Sequence, residues 1–490
     1  MAGADTYERR MQKVVRPNIL FITTDQQRYD TISALGNGSI FTPHLNWLVR
    51  EGITYENCYS ACPICMPARA TIMTGLESHR HGLTGNNNQV RPMRDHVTFP
   101  ELLTKNGYQT RAEGKLHFHP MRTYYGIEHA DLPMDYFNEK RRYGKPSTRL
   151  HGVGENEMEP VINTIEERDT LTHWIVEKSM DFLESRDETR PFFLWTSFPK
   201  PHPPFDPLLS YWQMYEGIEV EKPVYGDWSE NFGKMGRGFL EPTVRLNRIF
   251  DLSEQQVKQI KKAYYACITQ IDYNLGLLFA KMRELELLEN TWIIFTSDHG
   301  DMLGDHHMGA KTVHLEGSAH VPMIIKPPAA FGESNWEYKG RRCGKTVSLS
   351  DVMPTVLNIC NISYEGETDG IDLLSYLETK EEKTIYGNCE NKYLCIIKEG
   401  FKYLWSWYGG EELLFDMRTD KKEQHNLASS EAYDQKRAEL HRELMEHMRV
   451  YRPEMFENGE VKTGEPITEL NGISSFPGLN TTVFPRDTFH

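Results

Sequence analysis

Cys65, Pro67, Arg69 and Gly75 punctuate one short stretch, Cys-Met-Pro-Ala-Arg-Ala-Thr-Ile-Met-Thr-Gly. Proline suits the first turn of a helix and glycine its end. Residue 65 is therefore predicted at a helix N-terminus, where unpaired N–H groups and the helix dipole favour an anion. Cys62 and Cys65 also form a CxxC pair, which alone would read as a thiol redox site. That site needs a βαβ context in which the first cysteine opens the helix, and here the helix-like stretch follows the second.

Two acids belong with this cysteine if the chain folds as its apolar pattern implies. The β-branched run 17–24 ends at Asp25, and the run 291–297 ends at Asp298. A third run, 191–198, has the same character, and all three read as buried strands. Helical stretches lie between them: 170–183 carries Leu171, Trp174, Ile175 and Phe182 on one face, and another opens at Ser253 with Gln256 completing a capping box. Alternation of this kind predicts an α/β fold with a large, mostly parallel sheet between helices. Ligands bind beyond the carboxyl ends of such strands, so Asp25 and Asp298 would meet on one sheet edge and build a metal site if their strands are neighbours.

The stretch from about His202 to Arg248 has weak periodicity and is expected as a long ordered loop over the site. After about Gly370 the pattern changes to short strand-like runs and a charged helix near 430–450. Residues 1–370 are accordingly expected to form the catalytic domain and 371–490 a smaller α+β domain with a polar tail.

Composition sets outer limits. A chain of 490 residues with 39% hydrophobic and 26% charged residues is an ordinary globular protein, with one large domain and a smaller one as the default. A net charge of −15 argues against non-specific binding to nucleic acid or an anionic membrane, so an anionic substrate must meet a local positive pocket. Eight cysteines in this length make no disulfide framework, and none has zinc-ribbon spacing. The charged N-terminal stretch and the short apolar run 19–22 do not resemble a signal peptide, and no span is long enough for a bilayer. The chain as given reads as cytoplasmic, although one trimmed of a leader would read the same way.

The segment from Cys65 to Gly75 resembles the type I sulfatase signature, Cys-x-Pro-x-Arg followed by a short helix and Thr-Gly, at every specified position. Other stations of that formylglycine-dependent family, in the alkaline phosphatase superfamily, follow in order: Asp25-Gln26, Gly114-Lys115-Leu116-His117, His202 in Pro-His-Pro-Pro-Phe, Asp298-His299-Gly300 and Lys311. The resemblance covers roughly residues 16–330, and the closing segment LFDMRTDKKEQHNLA is also family-like. It implies that a formylglycine-generating maturation enzyme oxidises Cys65 to an aldehyde. It also implies a cation held by Asp25, Gln26, Asp298, His299 and residue 65, with Ca²⁺ favoured by the hard oxygen donors. Many sulfatases carry Asp where this chain has Gln26 and Asn where it has His299.

By the same resemblance Arg69 and Lys115 hold the sulfate and the hydrated aldehyde, while His117, His202 and Lys311 are the candidates for proton transfer. The implied mechanism attacks sulfur through one aldehyde-hydrate hydroxyl, protonates the leaving group from His202 or Lys311, and expels sulfate when His117 takes the second hydroxyl's proton. A related phosphonate monoester and phosphodiester hydrolase remains an alternative, because such enzymes share the Asp-Gln and Asp-His pairs. The Gly-Lys-x-His station speaks for sulfur. A fold-retaining protein that never converts Cys65, or a thiol redox protein, is a further alternative. A sulfated saccharide is the expected substrate, with Arg80, His119 and Arg122 expected near the mouth of the pocket, and choline sulfate or an aryl sulfate would fit the same core.

Overall fold

A computed structural model describes residues 16–86, 91–229, 252–329 and 338–464. Eight strands form one sheet: β1 (Asn18–Asp25), β2 (Ile53–Tyr59), β3 (Gln109–Gly114), β4 (His129–Asp131), β5 (Phe192–Pro201), β6 (Thr291–Ser297), β7 (His320–Lys326) and β8 (Arg341–Ser348). Their order across the sheet is β4-β3-β5-β1-β6-β7-β2-β8. Only β7 runs against its neighbours, so the sheet is mixed and mostly parallel, as the sequence predicts.

The three apolar runs are central strands because both of their faces are covered. In β1, Ile19 and Phe21 enter one core and Leu20 and Ile22 the other. β6 divides in the same way, with Trp292 and Ile294 on one side and Ile293 and Phe295 on the other. A continuous apolar run results instead of an alternating one. Burial of each such side chain stabilises the fold by about 1.5–3 kcal/mol. The first core contains α1 (Cys65–Thr74), and the second contains α2 (Leu171–Ser185) and α3 (Glu254–Glu284). Thr170 caps α2, accepting from the His173 N–H, and Ser253 with Gln256 closes the expected capping box on α3.

A second sheet of four antiparallel strands, β9 (Ile385–Cys389), β10 (Tyr393–Lys398), β11 (Phe401–Ser406) and β12 (Glu412–Asp416), follows in the chain. One face packs on α4 (Asp434–Tyr451) through Leu394, Ile396, Tyr403, Leu440 and Leu444. Its other face joins Tyr59, Ala61, Ile64, Val313 and Leu315, which flank α1 and the region after β6. Fully buried Lys402 ties the two sheets together, donating to Glu316 Oε1 at 2.5 Å and Glu423 Oε1 at 2.8 Å.

The expected loop after His202 contains a short helix, Leu209–Gln213, and its residues 230–248 lie outside the described residues. Of the expected tail after 455, residues 456–461 form a two-stranded hairpin, and 465–490 lie outside the described residues. Among the described residues no helix is long and apolar enough to cross a membrane.

Candidate active site

β1 and β6 are direct parallel neighbours, with Thr24 opposite Ser297, so Asp25 and Asp298 emerge side by side. On the other flank of β1, the ladder shifts register after Thr24 and Asp25 pairs with Pro201 of β5, which delivers His202 next in the chain. β3 pairs with β5, and the Lys115 N–H donates to the Ser197 carbonyl at 2.9 Å, placing Gly114-Lys115-Leu116-His117 on the same edge. Four stations far apart in sequence thus converge because four adjacent strands end together.

α1 brings Cys65 to them. Ile64 is extended, Cys65 is the first helical residue, and the Met66 N–H is capped by Asn86 Oδ1 at 3.0 Å. Gly75 ends the helix at φ 68°, its N–H returning to the Thr71 carbonyl. Cys65 is 1% exposed, and Asp25, Arg69, Asp298 and His299 are 0% exposed. Cys65 Sγ lies 3.2 Å from His299 Nε2, 3.8 Å from Asp25 Oδ1 and 4.0 Å from Lys115 Nζ.

The two carboxylates divide their oxygens between two tasks. The Oδ2 atoms face cations: Asp298 Oδ2 accepts from Arg69 Nε at 2.9 Å, and Asp25 Oδ2 is ion-paired with Lys115 and lies 3.7 Å from Arg69 Nη2. The Oδ1 atoms converge with Cys65 on His299 Nε2, at 3.7 Å for Asp25 and 3.6 Å for Asp298. Ligands about 2.4 Å from a cation and at right angles to one another lie about 3.4 Å apart. Asp25, Cys65, Asp298 and His299, with all four donor atoms within 4.8 Å of one another, therefore fit a bound cation.

Gln26 sits in this site with a φ of 74°, its N–H donating to Asp298 Oδ1 at 3.1 Å. Its side-chain oxygen accepts from Lys311 Nζ at 2.5 Å. The His202 imidazole bonds the Pro203 carbonyl through Nδ1 at 2.9 Å, which leaves Nε2 for proton transfer.

The electrostatics follow from this crowding. Burial raises the Asp25 carboxyl, but Lys115, His202, His299 and Arg69 outweigh it and hold Asp25 well below the usual range. Burial and the Asp25 charge raise Asp298. The Cys65 thiol, pushed up by burial and Asp25, is nevertheless held well below its ordinary value by Lys115, Lys311 and His299. Burial lowers His117, reinforced by Lys115, and burial lowers His202, reinforced by Lys311. His299 is raised against its burial by Asp298 and Cys65.

Three contributors escaped the sequence. Ser197 Oγ accepts from Thr23 Oγ1 at 2.9 Å and from Arg69 Nη1 at 3.0 Å, and donates to the Lys115 carbonyl at 2.6 Å. Tyr264 donates to the Gln26 carbonyl at 2.6 Å, and Asp301 accepts from the Gln26 amide. Asp301 had a signal, the second acid of Asp-His-Gly-Asp, whereas a serine inside an apolar strand and a tyrosine inside a helix carry none. Two residues expected at the mouth are otherwise engaged. Arg80 is ion-paired with Asp369 and Glu367 and lies 5.2 Å from the Tyr451 ring centroid, and Arg122 is bound to Asp135.

The sulfatase family model matches residues 17–362 of this chain. An arylsulfatase of Clostridium perfringens (strain 13 / Type A) is 32% identical over 491 residues, spanning 94% of this chain and 100% of the relative. Among solved structures, the phosphonate monoester hydrolase of Agrobacterium radiobacter superposes with a TM-score of 0.75 at 24% identity, over 89% of this chain and 96% of that one. A protein solved with its substrate D-glucosamine-2-N,6-O-disulfate superposes with a TM-score of 0.70 at 23% identity, over 89% and 98%. The two structures speak to the fold, which is alkaline phosphatase-like. The family match, the full-length similarity to an arylsulfatase and the cluster around Cys65 together give the conclusion that the chain belongs to the sulfatase family, whose members are sulfuric ester hydrolases.

Proposed function

We propose that this sulfatase cleaves sulfate monoesters of a carbohydrate, using a formylglycine made from Cys65 by a maturation enzyme and a Ca²⁺ held by Asp25, Gln26, Asp298 and His299. One observation carries the reading: the Cys65 sulfur is buried at a helix mouth, 3.2 Å from an imidazole and 3.8 Å from a carboxylate, with Lys115 and Arg69 beside it. An aldehyde at that atom supplies, as its hydrate, one hydroxyl to attack sulfur and a second whose deprotonation releases sulfate. The cation would lower the hydroxyl's pKa and offset the charge of the ester.

The remaining work falls to this chain's own groups. Arg69 is fixed through Nε on Asp298, while its buried Nη2 lacks a hydrogen-bond partner and is a donor for a sulfate oxygen. Lys115 offsets the negative charge beside Cys65, and His117, hydrogen-bonded to Cys65 and held neutral by its burial, is the base for the second hydroxyl. Lys311, and His202 once it carries a proton on Nε2, are the candidates to protonate the departing alkoxide, whose poor stability on a sugar makes that proton necessary. The carbohydrate reading is supported by the solved relative of the same fold whose substrate is a sulfated glucosamine.

The test is one preparation, co-expressed with a formylglycine-generating enzyme and checked by peptide mass spectrometry for the aldehyde at residue 65. It is assayed against sulfated mono- and disaccharides, nitrophenyl sulfate and phenylphosphonate. Release of sulfate from a saccharide with converted Cys65 is the expected result. Full activity from unmodified Cys65 overturns the nucleophile. A phosphonate preference above about tenfold, roughly 1.4 kcal/mol of transition-state discrimination, overturns the choice of sulfur.

A further inference from the structure

Gln26 is a proposed cation ligand whose amide can present its NH₂ in place of its oxygen. The oxygen and nitrogen ends of a primary amide are nearly identical in shape, and only partners decide which end faces where. A carbonyl turned to a cation binds it, and an NH₂ turned to a cation repels it.

The Gln26 backbone is already held in place. Its N–H donates to Asp298 Oδ1, and its carbonyl accepts from Tyr264 Oη, at a φ of 74° that non-glycine residues adopt rarely. At the end of the side chain, Nε2 donates to Asp301 Oδ2 at 2.5 Å and Oε1 accepts from Lys311 Nζ at 2.5 Å. An ammonium only donates, so the end it meets must be the oxygen. Asp301 is 0% exposed, and its other oxygen, Oδ1, accepts from the Leu303 N–H at 2.8 Å. Both oxygens of Asp301 are thus claimed by donors. Its backbone carbonyl is fixed as well, by Arg28 Nη1 at 2.9 Å.

We propose that Asp301 is a positioning residue for the cation site, acting with Lys311 to fix the Gln26 amide so that its NH₂ is held by Asp301 and the end left for a cation is the carbonyl oxygen. The proposal rests on the calcium reading above and assigns its affinity to a residue outside the ligand set. Asp301→Asn breaks the lock by simple counting. Asparagine has one acceptor oxygen, and if the Leu303 N–H takes it, an NH₂ is left facing the NH₂ of Gln26. The amide must then turn over or move away. Gln26→Glu adds a charged oxygen ligand but sets two carboxylates against each other at Asp301. The pair Gln26→Glu/Asp301→Asn restores the pattern in reverse. The new amide NH₂ at position 301 can donate to the new carboxylate at position 26, whose other oxygen still meets Lys311.

The experiment is calorimetric calcium titration of the full-length chain, with calcium-dependent melting alongside, for the parent, the two single variants and the double variant. Asp301→Asn is expected to weaken calcium affinity by about tenfold or more in the parent but by less than about threefold in the Gln26→Glu background, a coupling that a double-mutant cycle isolates. A merely structural role for Asp301 would lower the melting temperature without calcium in both backgrounds alike and change calcium affinity by the same factor in each, and that result overturns the proposal. Equal calcium affinity in the parent and Asp301→Asn overturns it too, leaving the calcium reading intact. A parent that binds no calcium overturns both.

Discussion

Gly114 is where a single methyl group should separate Lys115 from its task. Its φ is 99°, and an added Cβ would lie 2.0 Å from the Ser197 carbonyl oxygen and 2.9 Å from Ile175 Cδ1. Carbon and oxygen normally approach to about 3.3 Å, so the end of β3 must move from β5 by more than about 1 Å. The left-handed backbone adds about 1–2 kcal/mol for a non-glycine residue. Losing the Lys115 N–H bond to Ser197, now 2.9 Å, adds about 1 kcal/mol. Gly114→Ala should therefore lower the free energy of unfolding by about 3 kcal/mol, read from urea denaturation. The same shift carries away the Lys115 carbonyl, which receives Arg69 Nη1 at 2.5 Å and Ser197 Oγ at 2.6 Å, and moves Lys115 Nζ from its station 4.0 Å from Cys65. A misplacement of about 1 Å near the reacting atoms lowers kcat/KM by about a hundredfold. Gly144→Ala is the control, since Gly144 has a φ of 62° but open space around its Cβ, and about 1 kcal/mol with unchanged kcat/KM is expected there. If Gly114→Ala behaves like that control, the argument that β3 positions Lys115 through Gly114 is wrong.

Chelation should abolish turnover and lower the melting temperature, and restored Ca²⁺ at about a hundred times its dissociation constant should return about 2.7 kcal/mol of stability; stoichiometric zinc that calcium cannot replace would refute the metal assignment. Replacing His202 or Lys311 by Ala should depress hydrolysis of a sulfated sugar far more than that of nitrophenyl sulfate, because only the sugar alkoxide needs the proton. Equal losses on both substrates would remove the general-acid role. Buried Glu77 has its carboxyl pushed up to about 7 by burial, so the folded state holds a proton that the unfolded chain releases near 4.5. Stability from this group is present below about pH 4.5 and is lost as pH rises towards 7, and by pH 8 the loss reaches about 3 kcal/mol. Glu77→Gln should flatten the stability profile between pH 5 and 8; an unchanged slope in denaturant melts would rule this out.

The central strands were legible because burial on both faces leaves an uninterrupted apolar run, and 291–297 agrees with β6 at both ends. α1 was legible through its proline and glycine, and the capping box of α3 through Ser253 and Gln256. The pairing of β1 with β6 was not, since no local pattern says which strands are neighbours. The meeting of Asp25 with Asp298 followed only once that pairing was known. β12 was missed because its Glu-Leu-Leu-Phe-Asp is short and was absorbed into the closing segment. Arg80 shows the limit of reading charge as ligand binding, because its partners Glu367 and Asp369 lie almost three hundred residues away in the chain. The side-chain partners of Gln26 escaped for the same reason.

The burial of α1 has a consequence in time. Cys65, Met66, Pro67, Ala68 and Arg69 are all buried in the folded chain, and β9 packs on the segment leading into α1, with the Asn388 N–H donating to the Ala61 carbonyl and Cys389 Sγ to that of Thr312. On the reading proposed above, a modifying enzyme must take this segment in its own cleft, so it competes with folding for an extended chain. More than three hundred residues separate Arg69 from β9. At about 5–20 residues per second, a ribosome leaves the segment uncovered by that sheet for on the order of 15–60 s. The order of synthesis, with the nucleophile early and its cover late, is itself a maturation window, and moving β9 to β12 ahead of residue 65 by circular permutation should lower the converted fraction without altering a single side chain in the site.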